Sequence, residues 1–392
     1  MRLPAGSTAS NPRVASLDQF RGYTVLGMLL VNFVGSFACI PGVLKHNHNY
    51  CSYADTIMPG FFFAVGFAYR LTYLRHLQQE GCWAAWWKVI RRSFGLILLG
   101  AVVYHLDGRY TSWSQMAELG PWGVLAAAWK RSLFQTLTHI GVTSLWVLPV
   151  IGANAWLRTG FMLFSALLHV GLSYGWAGWS NYDWVHADPR GIDGGPLGFL
   201  TWTIPLLVGS LAFDLMCGTA PRPDDADAGR QYVSKALSLA AAGTALMLAA
   251  YGLSCLELKP ATQGATPLNF TCTLGAIPLV HIPPEEPHNL FTMSQRAGSV
   301  SYLTFGAGFS LAMYALFVLL CDGWRLQVGV FRTFGANALA AYLIHDAVDS
   351  AIKPFAPKDS PLWYVLVMFA LFMAINYVFM RYLEKRSLYL RL

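Results

Sequence analysis

Side chains that could carry out acid–base chemistry lie close together in residues 44–55, which include His46, His48 and Asp55. A histidine there can act as a general base toward an amine or hydroxyl, because its unperturbed pKa lies near about 6.5. An aspartate can orient that histidine and stabilise its charged form. Two alternatives stay open: the histidines could simply face water, or the three side chains could bind zinc. No further ligand cluster supports a metal, so we expect none.

A second polar set lies on the apolar run of residues 20–40. Asp18 and Arg21 stand at its start, and Asn32 lies in its second half. Asp18 and Asn32 are almost four helical turns apart, so both would lie on one helix face, about 21 Å apart along the axis. Polar groups inside a membrane are costly and usually functional. The alternatives are a helix cap with a surface ion pair for Asp18 and Arg21, and helix–helix hydrogen bonding for Asn32.

Further polar candidates lie in later apolar runs. They are Gln135 and His139, and then Asn337, His345 and Asp346. Any of them could instead serve helix packing. The sequence contains no Gly-x-Ser-x-Gly turn, phosphate-binding P-loop, His-Glu-x-x-His or dinucleotide-binding pattern. This excludes the commonest hydrolase, ATPase and zinc-protease classes.

The composition indicates which elements must position these residues. Hydrophobic residues make up 55% of the 392-residue chain and charged residues only 12%, whereas soluble domains carry about 25% charged residues. The net charge is +7, but the basic residues lie between apolar runs rather than in one patch. We therefore exclude nucleic acid as a partner and predict an all-α fold, a polytopic membrane bundle.

Ten segments are apolar enough to be predicted as membrane-spanning helices. They are residues 20–40, 54–74, 92–106, 133–152, 156–175, 196–217, 233–254, 299–321, 333–352 and 361–383. An amphipathic stretch, 121–132, precedes the fourth segment and is predicted to lie at the interface or re-enter the membrane. Two thirds of the 27 Lys and Arg residues lie in segments on the same side as the termini, which predicts that both termini are cytoplasmic.

We expect one transmembrane domain over residues 1–392, with a cytoplasmic segment at 1–19, the bundle at 20–383 and a cytoplasmic tail at 384–392. Under this orientation the pairs Cys39–Cys51 and Cys255–Cys272 would lie outside or at outer helix ends. They could form disulfides in an oxidising exterior. The alternative is that these cysteines are buried small hydrophobic residues.

Several stretches together resemble a known family. Residues 13–22 (Arg-Val-Ala-Ser-Leu-Asp-Gln-Phe-Arg-Gly), followed by Val31-Asn32-Phe33, resemble the start of the heparan-α-glucosaminide N-acetyltransferase family. The likeness continues, over almost the whole chain, in residues 54–66, 135–143, 193–205, 299–302 and 334–342. Each stretch is a weak signal alone, but their order and number are fairly specific.

The resemblance implies a membrane-embedded acetyltransferase that takes acetyl from cytoplasmic acetyl-CoA and passes it to an amino sugar on the other side. In the wider superfamily, acyltransferase family 3 proteins typically have His where this chain has Asn32. The favoured family has Asn there and a catalytic His in the following loop, usually ten residues before the Asp that corresponds to Asp55. Lys45 occupies that position here; His46 is nine residues before Asp55 and His48 seven. We favour His46 and keep His48 open.

The resemblance also implies the roles of the site residues. His46 or His48 would be the base, Asp55 would orient it, and Asn32 would hold the thioester carbonyl or its oxyanion. Direct transfer and transfer through an acetyl-histidine intermediate both stay open. Acetyl-CoA binding is assigned to residues within the matched stretches: Arg13, Asp18, Arg21, Gln135, His139 and Asn337.

The expected partners are acetyl-CoA, a saccharide or amino-sugar acceptor, membrane lipid and a second copy in a homodimer. The expected location is a bacterial inner membrane. Two other functions remain alternatives: a transporter or flippase of a lipid-linked sugar, and a membrane scaffold or sensor without chemistry.

Overall fold

The computed structural model describes residues 14–104, 112–128, 133–217, 228–264, 267–270, 278–279 and 289–390. These residues form thirteen helices and one small antiparallel sheet, in which β1 (Leu256–Glu257) pairs with β2 (Asn269–Phe270). The helices are α1 Ala15–Val34, α2 Tyr53–Glu80, α3 Cys82–Val103, α4 Trp113–Ala128, α5 Thr136–Ile151, α6 Ala155–Tyr174, α7 Asn181–His186, α8 Gly198–Cys217, α9 Ala228–Ser254, α10 Val300–Phe317, α11 Gly329–Ala336, α12 Ala338–Ile352 and α13 Leu362–Lys385.

Six of the described helical segments are long and apolar enough to cross a membrane. They comprise α2, α6, α8 with the turn before it, α9, α10 with the π-helical turn Val318–Gly323, and α13. Helix α5 is apolar but shorter. The expectation of an all-α membrane bundle is confirmed at this level, while the number of crossings and the side of the termini stay predictions.

Each of the ten predicted segments contains helix, but some boundaries differ. Helix α1 begins at Ala15 and ends at Val34, because the chain turns at Gly35 although its apolar character runs on to Ile40. Helix α3 begins ten residues before the predicted segment, since its first half is amphipathic and carries basic side chains.

The ninth predicted segment is two helices, α11 and α12, separated at Asn337 (φ −135°, ψ 48°). The amphipathic stretch belongs to α4, which is kinked at Gly120 (φ 65°) immediately before Pro121. Residues 129–132 of that stretch lie outside the described residues.

The disulfide predictions fare differently. Cys39 and Cys51 are free thiols, so that predicted pair is wrong for this structure. The physical reason is their placement: Cys39 is exposed, whereas Cys51 is buried and its Sγ donates weakly to the Ser52 carbonyl (3.6 Å). Burial raises the pKa of the Cys51 thiol, which makes it unreactive. Cys255 is buried, and its predicted partner Cys272 lies outside the described residues, so this second pair stays a prediction.

Helix α2 lies at the centre of the bundle and packs against α8 through glycine. A Cβ atom added to Gly66 would lie 1.7 Å from the Leu206 carbonyl oxygen, and one added to Gly209 would lie 2.0 Å from the Phe63 carbonyl oxygen. Next to this contact, the Phe62 and Trp202 rings stack at 4.5 Å. The two backbones therefore approach as closely as in small-residue contacts between membrane helices.

A buried charge cluster joins three helices at the end of the bundle that contains the C-terminal end of α2. Asp214 of α8 accepts from Arg70 of α2 (Nε to Oδ1, 3.1 Å) and from Arg158 of α6. Arg158 also donates to Ser210 Oγ at 2.7 Å, and Arg70 to the Ile151 carbonyl. Removing the single acid would leave two guanidinium groups without a counter-charge, which is strongly unfavourable in a buried site.

The glycine contact predicts a specific packing defect. Gly66→Ala should lower the melting temperature of the detergent-solubilised protein, because overpacking of this kind costs about 1–3 kcal/mol. The matched control is Gly160→Ala in α6, where a Cβ meets nothing within 4 Å. That change should be neutral or stabilising by up to about 1 kcal/mol. Equal melting temperatures for the two variants would contradict the close α2–α8 contact.

Candidate functional site

One carboxylate organises the loop between α1 and α2. Asp55 is the third residue of α2 and forms a capping box with Ser52, whose backbone N–H donates to Oδ2 at 3.0 Å. The Asn47 N–H reaches the same oxygen at 3.2 Å, and the Ser52 hydroxyl lies 2.9 Å from it. Asp55 is only 1% exposed, so these donors replace the water that its charge would otherwise require.

The other oxygen of this carboxylate contacts His46. Nδ1 of His46 lies 2.9 Å from Asp55 Oδ1. An ionised carboxylate only accepts hydrogen bonds, so Nδ1 carries a hydrogen and, in the neutral imidazole, Nε2 carries the lone pair. The His46 side chain is 33% exposed and can meet a ligand. The arrangement is that of a base oriented by an acid.

Asn32 and His345 complete this side of the site. Asn32 Oδ1 lies 3.3 Å from His46 Nε2, and Asn32 Nδ2 lies 3.4 Å from His345 Nε2. His345 Nδ1 donates to the Tyr342 carbonyl at 2.6 Å, which leaves Nε2 of the neutral ring to accept from the amide. The Asn32 oxygen is thereby turned toward His46, where it can accept a hydrogen bond from the protonated ring.

His345 has a second potential partner. Asp346 Oδ1 lies 3.1 Å from the same His345 Nε2. A neutral His345 accepts from Asn32, whereas a charged His345 donates to Asp346. The sequence offered His345 and Asp346 only as undifferentiated polar candidates; their link to Asn32 depends on how α12 packs against α1.

His48 belongs to a different set of contacts. Its Nδ1 lies 3.0 Å from Gln295 Oε1, and Gln295 Nε2 donates to Asp193 Oδ1 at 3.0 Å. The His48 and His46 rings are parallel within 4°, with centroids 6.0 Å apart. Burial lowers the pKa of His48 and raises the pKa of Asp193 to about 7. Neither Gln295 nor Asp193 was selected as a site residue from sequence, because both lie far from His48 along the chain, although Asp193 begins one of the stretches that resemble the family.

A cavity of about 900 Å³ opens at the opposite end of α1. Its polar lining includes Asp18 and Arg21, whose carboxylate and guanidinium are 3.9 Å apart, and Asn337. Further basic side chains come from the end of α2 and from α3: Arg75, Lys88, Arg91 and Arg92. Several cations around one opening favour an anionic ligand.

Tyr342 links the cavity to the Asn32–His345 pair. Tyr342 lines the cavity and lies one helical turn before His345, with ring centroids 5.6 Å apart. Its hydroxyl bonds that of Tyr104 at 2.7 Å, and the Leu137 N–H donates to Tyr104 Oη at 2.8 Å. One helix, α12, thus connects the basic cavity to the histidine site.

The six residues assigned to acetyl-CoA do not all meet. Asp18, Arg21 and Asn337 line the cavity, although the Asn337 amide also bonds the Leu388 carbonyl and the Leu390 N–H. Gln135 precedes α5 and is not among the lining residues, while its neighbour Thr136 is.

His139 is buried beside Trp202, with ring centroids 6.4 Å apart, and is not among the residues that line the cavity. Arg13 lies outside the described residues. Within the described ranges, no group of three or more His, Cys, Asp and Glu side chains is arranged to hold a metal ion.

No family model matches the chain, and neither does any curated protein. The geometry of the site offers an oriented base, an amide directed at it and a basic cavity at the other end of the same helices.

The Asp55 contacts predict a local change in hydrogen exchange. The donors around Asp55 now share two carboxylate oxygens. In Asp55→Asn only one oxygen remains to accept their hydrogen bonds. The amides of Asn47 and Ser52 should therefore exchange about 5–30 times faster, which corresponds to roughly 1–2 kcal/mol of lost protection. Asp359→Asn, at an exposed carboxylate, should leave these amides unchanged. Unaltered exchange in Asp55→Asn would show that the carboxylate does not hold the loop.

Proposed function

We propose that the protein is a transmembrane acetyltransferase that takes acetyl from acetyl-CoA in the basic cavity and passes it to an amine or hydroxyl acceptor at His46. The acceptor class is an amino sugar or saccharide, in line with the family resemblance. One observation carries the proposal: α1 presents Arg21 at the cavity and Asn32 at the histidine site. The two residues are eleven positions apart, or about 16 Å along the helix axis.

The residues of the cavity fit coenzyme A. Its nucleotide end carries several phosphate charges, which suit the cluster of Arg and Lys side chains around the opening. The cavity is also lined by apolar side chains, among them Leu96, Ile140 and Leu339, which suit the uncharged pantetheine arm. The thioester would pass Tyr342 and lie near Asn32.

The chemistry follows from the contacts of His46. The acceptor nitrogen or oxygen attacks the thioester carbonyl carbon and gives its proton to His46 Nε2. The new C–N or C–O bond forms, the C–S bond breaks, and the departing thiolate takes the proton. Asp55 and the Asn32 oxygen stabilise the charged ring, while the second amide hydrogen of Asn32 can bond the developing oxyanion.

The topology belongs to the same proposal. Ten crossings with both termini in the cytoplasm place the basic cavity on the cytoplasmic side, where acetyl-CoA is available, and His46 on the outer side. The distribution of Lys and Arg supports this orientation, as does the direction of α2, which begins at the histidine site and ends beside the cavity. The proposed location is a bacterial inner membrane.

Binding of coenzyme A tests the cavity. Arg92→Glu should weaken the binding of acetyl-CoA, measured by titration calorimetry in detergent, by about tenfold, because a reversed charge beside phosphate costs about 1.4 kcal/mol or more. Arg325→Glu makes the same charge change at an exposed residue outside the cavity lining and should alter affinity less than about twofold. Folded protein that binds neither acetyl-CoA nor coenzyme A would overturn the proposal. The transporter of a lipid-linked sugar would then be the favoured function.

Turnover tests the base. With glucosamine as acceptor, His46→Ala should reduce the release of free coenzyme A by about 10²–10⁴-fold, the usual contribution of general base catalysis. Acetyl-CoA affinity should not change. His186→Ala removes a histidine from α7 and should retain full turnover. If His46→Ala also retains it, His46 is not the base.

A further inference from the structure

His48 is held by a part of the chain that His46 does not touch. Its ring bonds Gln295, and its carbonyl accepts from the Ser294 hydroxyl and the Arg296 N–H, both at 2.9 Å. Gln295 in turn reaches Asp193 from the loop before α8. Both Gln295 and Asp193 are buried. The hydrogen-bonded relay His48–Gln295–Asp193 is therefore part of the packed structure rather than a surface contact.

The relay defines which nitrogen of His48 faces a ligand. Gln295 Nε2 donates to Asp193, so its Oε1 is the atom that faces His48. An amide oxygen only accepts, which makes His48 Nδ1 the protonated nitrogen and leaves a lone pair on Nε2. Among the described residues no side chain or backbone group donates to this Nε2. The lowered pKa of His48 keeps the ring neutral near pH 7.

The two histidines differ in the partner of Nδ1. His46 faces an ionised carboxylate, which stabilises the imidazolium that forms when a base takes a proton. His48 faces a neutral amide, which orients the ring without that charge stabilisation. The environment of His46 thus suits proton transfer, and that of His48 suits hydrogen bonding.

The spacing of the rings suits one small acceptor. With centroids 6.0 Å apart, the parallel rings do not touch face to face. A molecule that carries two adjacent polar hydrogens can reach both, since each hydrogen bond spans about 2.7–3.2 Å. An amine with a hydroxyl on the neighbouring carbon, as in an amino sugar, has this arrangement.

We propose that His48 binds the acceptor, with its Nε2 accepting a hydrogen bond from a hydroxyl next to the reacting amine. Gln295 and Asp193 are positioning residues that hold the ring in this tautomer and orientation. The inference rests on the proposed acetyl transfer and adds its specificity: the enzyme selects vicinal amino alcohols over simple amines.

Two probe acceptors test this specificity. Wild-type protein should acetylate 2-aminocyclohexanol at least about tenfold better, in kcat/KM, than cyclohexylamine, because one buried hydrogen bond is worth about 1.5 kcal/mol. His48→Ala should erase that preference and raise KM for glucosamine about tenfold, with kcat and the affinity for acetyl-CoA nearly unchanged. Gln295→Met, which keeps the side-chain length but neither hydrogen bond, should shift the preference in the same direction.

The outcomes separate this inference from the proposed function. If wild-type protein releases no coenzyme A with any acceptor, both fall together. If wild-type protein turns over but His48→Ala keeps the amino-alcohol preference, only the inference falls. A loss of kcat with unchanged acceptor KM would assign His48 to chemistry instead. A parallel loss of melting temperature and acetyl-CoA affinity in both His48→Ala and Gln295→Met would show a purely structural role.

Discussion

The buried carboxylate of Asp55 forms the interactions on which the histidine site depends. Its two oxygens start α2, fold the preceding loop and orient His46. The backbone at the same residue is also in use, since the Tyr302 hydroxyl donates to the Asp55 carbonyl at 2.7 Å. Because Tyr302 belongs to α10, hydrogen bonds to Asp55 connect the start of α2, the preceding loop and α10. Burying a charge is unfavourable unless its lone pairs find donors, and here one carboxylate both caps α2 and orients His46.

The distance between the two ends of the site depends on close helix contacts. A Cβ atom on Gly22 of α1 would lie 1.9 Å from the Phe331 carbonyl oxygen, and one on Gly335 would lie 2.1 Å from the Asp18 carbonyl oxygen. Helices α1 and α11 therefore pack backbone to backbone beside the basic cavity. Without a hydrophobic driving force inside lipid, such contacts supply much of the association between helices. These contacts fix the positions of Arg21 and Asn32, which share α1, relative to the basic cavity and the histidine site.

Local patterns in the sequence account for the fold class, for helix in each of the ten segments and for the pairing of His46 with Asp55. That pairing is short in sequence and is closed by a capping box, whose pattern is local. The break at Asn337 was missed, because the apolar pattern continues across it and only the contacts with Leu388 and Leu390 explain it. Gln295 was missed because its partners, His48 and Asp193, lie in loops that are distant from it in sequence. Long-range polar pairs leave no periodic signal, and a single sequence cannot reveal them.

The hydroxyl pair of Tyr104 and Tyr342 has a consequence for bioenergetics. Among the described residues, Tyr342 lines the cavity whereas Asn32 and His46 do not, so the two hydroxyls lie between the described cavity and the histidine site. If the protein transfers acetyl as we propose, it receives one substrate from each face of an energised membrane and must not conduct protons or ions between them. On that proposal the two bonded phenols would act as a barrier that a slender pantetheine arm could part and then occupy. Catalysis across the bilayer would then proceed without dissipating the proton-motive force.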